Sequence, residues 1–390
     1  MALDIVVRVA FASDAFAASP TWTDISGDVM SLYIRRGRQH QLDRMEAGTA
    51  TIQLKNTSGD YWPNNVAGLY YPNIKPVKRV NIRMVWDSTT YDLYTGFVEN
   101  WPPGYLRRPS QGAIMTLQCA DLIKNLSRLK LNSAGYAQEV SGTRIGNVLT
   151  TLAWPAADRA LDTGQSTIIA SGALANQIAS EHLFLVQSSE RGILFIAGDG
   201  KATFHDRYHR YLNNNTPRAI FGDLPNMPIA DWEPVYEDQY IYNDVRLTRS
   251  GGSEQAVSDS DSDDDYGTRT YQVSGLLIPT DNEVLDQANF LLSRYKQPAM
   301  RAKSITIKSG ADSDNLLPKI LGYEISDRIT LTMADAAIDE DYHIEGVNMS
   351  WNIKDPDEVV CKWQLSNAEN QDYWILGTSA LEAAGTRLCY

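Results

Sequence analysis

Residues 22–63 read WTDISGDVMSLYIRRGRQHQLDRMEAGTATIQLKNTSGDYWP. Two strand-like runs, 29–35 and 48–54, are joined by residues 36–47, which carry Arg36, Arg38, His40, Asp43, Arg44 and Glu46. A plain hairpin closes with a two-residue turn such as Asn-Gly. Twelve residues with charges of both signs read either as a loop that meets a partner or as a solvated connection, and long loops in compact domains are often functional. Of the five histidines, His40 is the one placed to belong to an interface.

Upstream, Leu3, Ile5, Val7 and Val9 alternate as a strand. Downstream, Val80, Ile82, Met84 and Trp86 alternate, as do Tyr91, Leu93 and Thr95, with a turn at 87–90 between them. Ala113, Met115, Leu117 and Cys119 give a further period of two. Six or more short strands predict a closed antiparallel barrel or sandwich over 1–128. Asp121 is placed to cap a helix over 121–131.

The next block, 129–208, reads as α+β. A short amphipathic helix begins at Ser141 and is stopped by Pro155, which lacks the backbone donor of a helix interior. A second helix is expected from Leu174 to Gln187, then a hairpin turning at Asp199-Gly200. Strands recur over 209–366, with 343–351 and 358–365 as the last large hairpin, giving a second barrel. A helical insertion around 274–300 opens on the capping box Thr280 to Glu283. The acidic run 258–265 is expected as a solvated loop. Residues 367–390 are aromatic and apolar and are expected to pack on the second barrel or on a neighbour.

With 390 residues, 43% hydrophobic and 21% charged, the chain is expected to fold into two or three domains. A net charge of −13 argues against a protein that coats nucleic acid, which must neutralise phosphates. No run of about 18 apolar residues occurs, and no basic segment precedes an apolar one at the start. A chain assembled in the cytoplasm and not inserted in a membrane is expected. Cys119, Cys361 and Cys389 lack metal or disulfide spacing.

Residues 36–59 also carry a resemblance. Arg36, Gly37, Arg38, Leu42, Asp43, Arg44, Glu46, Ala47, Gly48, Thr49, Ala50, Thr51, Leu54, Asn56 and Gly59 match, in order, a pattern of the phage baseplate-hub family of tail proteins. Arg35 stands where that pattern has serine. Arg144, Trp154-Pro155, Gly164, Gly192, Asp199-Gly200 and Arg207 extend the likeness into the α+β block, and the C-terminal segment also resembles the family's ending. The resemblance implies two tail-tube-like antiparallel β-barrels in one chain and a trimeric ring at the distal end of a phage tail. The implied partners are the tail tube or distal tail protein, the tape-measure protein and a fibre or spike. DNA would pass through the lumen without specific binding, and part of the negative charge would line the bore. The implied location is the virion's tail tip. A hexameric distal tail protein is the alternative, with a receptor-binding or cell-wall hydrolase module as a third class; the α+β block and the short stretch after the second barrel speak against these.

No catalytic constellation stands out: there is no G-x-S-x-G elbow, H-E-x-x-H or P-loop. His205 and His209 have a metal-ligand spacing for a helix, but they follow a strand that ends in a loop. The acidic run lacks the glycine and glutamate of a calcium loop. The chain is therefore expected to be non-enzymatic, with no cofactor and no metal. Residues 36–47 are the expected subunit-interface loop.

Overall fold

The computed structural model describes residues 3–105, 113–368, 373–374 and 387–388. The fold is mainly β. Its spine is a single mostly antiparallel sheet of 14 strands that runs through both halves of the chain. Strand Val29–Gly37 pairs on one side with Glu46–Lys55 and on the other with Ile338–Asn352. Ile338–Asn352 forms the expected late hairpin with Asp355–Asn367. Two strand sets that the sequence reads as separate barrels are thus hydrogen-bonded edge to edge. An exposed strand edge presents unpaired N–H and C=O groups, and here one edge from each half satisfies the other.

The register sorts the side chains into two faces. Cys361, Met349, Ile34, Ala50 and Cys119 lie opposite one another in turn along a row that crosses the seam between halves, and all are buried. The parallel row Trp351, Leu32, Ile52, Leu117 is also buried. Successive residues of a strand point to opposite faces, so the intervening row faces out. Ser350, Tyr33, Thr51 and Gln118 form one such row. Trp363 is fully buried and stacks on Tyr323, with Phe221 edge-on. A core aromatic of this size is worth about 3–5 kcal/mol against alanine.

Local expectations hold where side chains close turns. Asp87 and Ser88, both at positive φ, make the two-residue turn between Arg79–Trp86 and Thr89–Asn100. Asp121 accepts from the Ile123 amide and caps a helix, Leu122–Leu126, shorter than expected. Thr280 accepts from the Glu283 amide and opens helix Asp281–Tyr295. The hairpin Ile193–Ile196/Ala202–His205 forms around Gly200.

Three expectations are corrected. Leu174–Ile178 is a strand, and the helix runs Ala179–Glu190; Leu174 and Ile178 pair with Ser133 and Lys130, so tertiary pairing overrides the helical spacing. The acidic run is not a loop. Asp259 accepts from the Ser262 amide and opens helix Ser260–Tyr266, where carboxylates in the first turn favour the helix dipole. Strand Asp244–Arg249 does not join the large sheet. It pairs with Glu254–Ser258 and Thr270–Leu276 and packs under helix Asp281–Tyr295. These elements have their own small core, in which Val245, Ile278, Val284 and Ala288 are fully buried. The apolar alternation of 241–247 is real, but it faces a helix. The C-terminal segment expected to pack on the second barrel or on a neighbour lies outside the described residues, apart from two short paired strands, Tyr373–Trp374 and Arg387–Leu388.

At the seam, Gly37 pairs with Gly346. Gly37 has φ +94°, and a Cβ there would lie 2.3 Å from the Glu345 carbonyl oxygen. Gly37→Ala is therefore expected to destabilise the chain by about 2 kcal/mol or more. Urea unfolding checks this; an unchanged midpoint would show that the seam tolerates a side chain.

Candidate functional site

The strands that meet at the seam break their own alternation. Arg36, Gly37 and Arg38 are buried in succession, as are Ile344, Glu345 and Gly346. Both runs sit at register shifts, between Arg35 and Gly37 on one strand and between Ile344 and Gly346 on the other. A bulge inserts one residue and re-aims its side chain. Alternation from exposed Arg35 already turns Arg36 inward, and the bulge keeps Gly37 and Arg38 buried after it; the second bulge puts Glu345 inside, where strict alternation from buried Ile344 would not.

Glu345 is fully buried. Arg38 Nε donates to one carboxylate oxygen at 2.7 Å and Arg210 Nη1 to the other at 2.6 Å. Arg210 also donates from Nε to the Ser326 hydroxyl, and the Arg38 amide donates to the Glu345 carbonyl. Three separate segments therefore converge on one carboxylate. Burial alone would raise the Glu345 pKa, but Arg210 and Arg38 outweigh it and hold it well below the usual carboxylate range.

The structure sorts the six residues of the charged connection by depth into three groups. Arg36, Arg38 and His40 are turned inward. Arg36 pairs with Glu324 at 2.7 Å, and the His40 ring stacks on Tyr240 at 3.6 Å. Leu42 packs on the small core of the 245–295 unit, and Gln41 accepts from Arg294. Asp43 is half-buried, its pKa raised by burial despite Arg38 and the His40 backbone. Arg44 and Glu46 stay exposed: Arg44 lies over the Phe184 ring at 4.0 Å, and Glu46 pairs with Arg35 on the outer face. The connection is thus first an intramolecular clasp between the large sheet and the small unit. Only its outer residues remain open to a neighbour.

His40 is kept neutral. Burial first, then Arg301 and Arg38, bring its pKa down to about 3 against a modest opposing pull from Glu345. His182 falls to about 4 and His205 to about 3, both chiefly through burial. His205 and His209 stack at 3.4 Å, and His209 bonds Asp162. Among the described residues no cluster of three or more His, Cys, Asp or Glu could hold a metal. The buried thiols of Cys119 and Cys361 are pushed up by burial and are not reactive.

Sequence reasoning missed Glu345 and Arg210, and gave Glu190 no role beyond its place in the family resemblance. Glu190 is a fully buried carboxylate that accepts from the Ser141 hydroxyl and the Gln165 and Ser166 amides. A charged residue beside glycine inside an alternating strand, as in Arg36-Gly37-Arg38 and Glu345-Gly346, is the signal that marks a bulge.

The pH dependence follows from these shifts. A histidine whose folded pKa is depressed takes up a proton on unfolding, so stability falls as pH drops from about 6.5 through the folded value of about 3 for His40. The depressed Glu345 pKa adds stability above the ordinary glutamate value, about 4.3, and that stability is lost as pH falls below it. Glu345→Gln is expected to cost about 3–5 kcal/mol at pH 7, because it leaves two buried guanidiniums without their counter-charge. It is also expected to flatten the loss of stability below about pH 4. Denaturant midpoints from pH 7 to pH 3 check both effects; a wild-type-like profile would remove Glu345 from its central place.

No protein-family model matches the chain, and no curated protein matches it in sequence. Solved structures do. A tail protein from Neisseria meningitidis superposes with TM-score 0.63 at 12% identity, over 94% of this chain and 97% of that one. The 43 kDa tail protein of prophage MuSo2 from Shewanella oneidensis gives 0.58 at 11%, over 93% and 98%. The E. coli c3393 protein, a type VI secretion component described as similar to the T4 tail proteins gp27 and gp5, gives 0.50 at 10%, over 93% and 77%. At this identity the likeness is one of fold, and it spans nearly the whole chain: the chain shares the fold of these tail proteins.

Proposed function

We propose that the chain is a structural hub at the distal end of a phage-type tail. Three copies form a ring that continues the tail tube, joins it to the tip or fibres and leaves a channel for DNA. The observation that carries this reading is the single sheet spanning both halves, with one face buried and the other polar. The outward row Thr306, Lys362, Asn348, Arg35, Thr49 crosses five strands. Its neighbour Ser350, Tyr33, Thr51, Gln118 carries no charge. The charges present are largely paired within the chain: Arg35 with Glu46, and Lys362 with Glu233. A surface of this kind offers DNA neither a phosphate-binding stripe nor strong repulsion, which suits passage without specific binding. On this reading the bore would be polar with paired charges, where the net charge alone predicts an acidic one.

The ring reading follows from the same sheet. Each chain supplies two strand sets side by side, so three chains present six to a sixfold tube, and closed rings are the common solution for oligomers of one chain. The tail tube or distal tail protein would stack on one side, and the tape-measure protein and a fibre or spike on the other. The exposed Arg44 and Glu46 are the residues of the charged connection that remain available for those contacts. The role is structural and not enzymatic.

Electron microscopy of assembled tails, with native mass measurement of the purified ring, tests the reading. A threefold ring at the distal tip is expected. A sixfold ring would assign the chain to the distal-tail class, and absence from tails would end the hub reading.

A further inference from the structure

Beneath the clasp lies a cleft of about 840 Å³, walled by Arg38, residues 41–44, helix Ala179–Glu190 and helix Asp281–Tyr295. A second hollow of about 590 Å³ adjoins it and shares Arg38, Asp43, Arg44 and Phe184. In a chain of net charge −13, the larger hollow is lined by six arginines against four carboxylates. Two of the arginines, Arg44 and Arg191, make no ion pair among the described residues. Each guanidinium instead stacks on a phenylalanine ring at 4.0 Å, Arg44 on Phe184 and Arg191 on Phe290.

A guanidinium placed over an aromatic face can still present its N–H groups to a carboxylate. Arg191 is held further by its backbone. It ends helix Ala179–Glu190 in the left-handed region, φ 60°, a place that usually belongs to glycine. Desolvation brings its pKa down to about 10, so it remains protonated at neutral pH but lacks a counter-charge. Two further donors in the same cleft, Arg210 Nη2 and Arg207 Nε, are buried and have no hydrogen-bond partner. A buried donor left unpaired is unfavourable, and these add to the unbalanced positive charge behind the cleft wall.

We propose that this cleft receives an extended acidic peptide segment of a neighbouring protein, with carboxylates seated on Arg44 and Arg191 and apolar side chains between Phe184 and Phe290. The two joined hollows suit an extended chain better than one compact molecule. The interspersed Asp43, Glu181, Asp206 and Asp286 would repel a continuous phosphate backbone but leave room for separate carboxylates. The inference goes beyond the hub reading, and its test does not use assembled tails, so the two fall separately.

The test is fluorescence anisotropy of the purified full chain with a fluorescein-labelled peptide of alternating glutamate and leucine. Saturable binding is expected, weakened at least about tenfold by Arg44→Gln combined with Arg191→Asn, since asparagine tolerates the left-handed backbone. The melting curve by circular dichroism is expected to stay unchanged. If the double variant melts lower, Arg44→Gln alone, on an exposed side chain, is expected to weaken binding measurably without that change. The glutamine–leucine peptide is expected not to bind. No saturable binding by the wild-type chain, equal binding by the variants or by the glutamine peptide, or equally tight displacement by single-stranded oligothymidylate would each overturn the proposal.

Discussion

A buried carboxylate between two guanidiniums holds the molecule in register. Glu345 sits on a bulge of the second half, Arg38 follows a bulge of the first, and Arg210 comes from the short helix His209–Leu212 that follows the α+β block. A charge taken out of water is costly unless its partners are close and well aligned. That cost makes the arrangement selective: displacing any one of the three segments would strand charge in the interior. The hydrophobic rows across the seam supply the bulk of the favourable burial, while the Glu345 cluster fixes which strand lies beside which.

The rest of the architecture follows from that seam. Because Val29–Gly37 pairs with Ile338–Asn352, both halves share one sheet and one large apolar core that also takes in the α+β block. The sheet's outer face is left polar. The clasp at 38–45 continues from the seam to the 245–295 unit through His40 on Tyr240 and Leu42 on its small core. The arginine-lined cleft is what remains between these parts. In the proposed ring, the sheet would supply the inner face and the cleft a separate place to grip a neighbour.

Much of the fold was legible in the residues because local rules and tertiary packing agree there. The alternation Gly48, Ala50, Ile52, Leu54, the caps Asp121 and Thr280, and the turn at Asp87-Ser88 all appear in the structure. What was not legible depended on distant pairing. Leu174 has helical spacing but finds a strand partner at Ser133. Residues 244–249 alternate as a strand of the second barrel would, yet cover helix Asp281–Tyr295. The charged connection was read as an interface loop, but charge in a sequence does not say whether it faces water. The partners that turn Arg36 and Arg38 inward, Glu324 and Glu345, lie 288 and 307 residues away.

The central claim is that the two halves unfold as one body because they share the seam. Hydrogen exchange read by mass spectrometry on peptides spanning 29–37 and 338–352 measures this directly. The amides of both strands should open together, with the free energy of global unfolding. Exchange of 338–352 at lower free energy, with 29–37 still protected, would mean that the halves are independent barrels merely in contact.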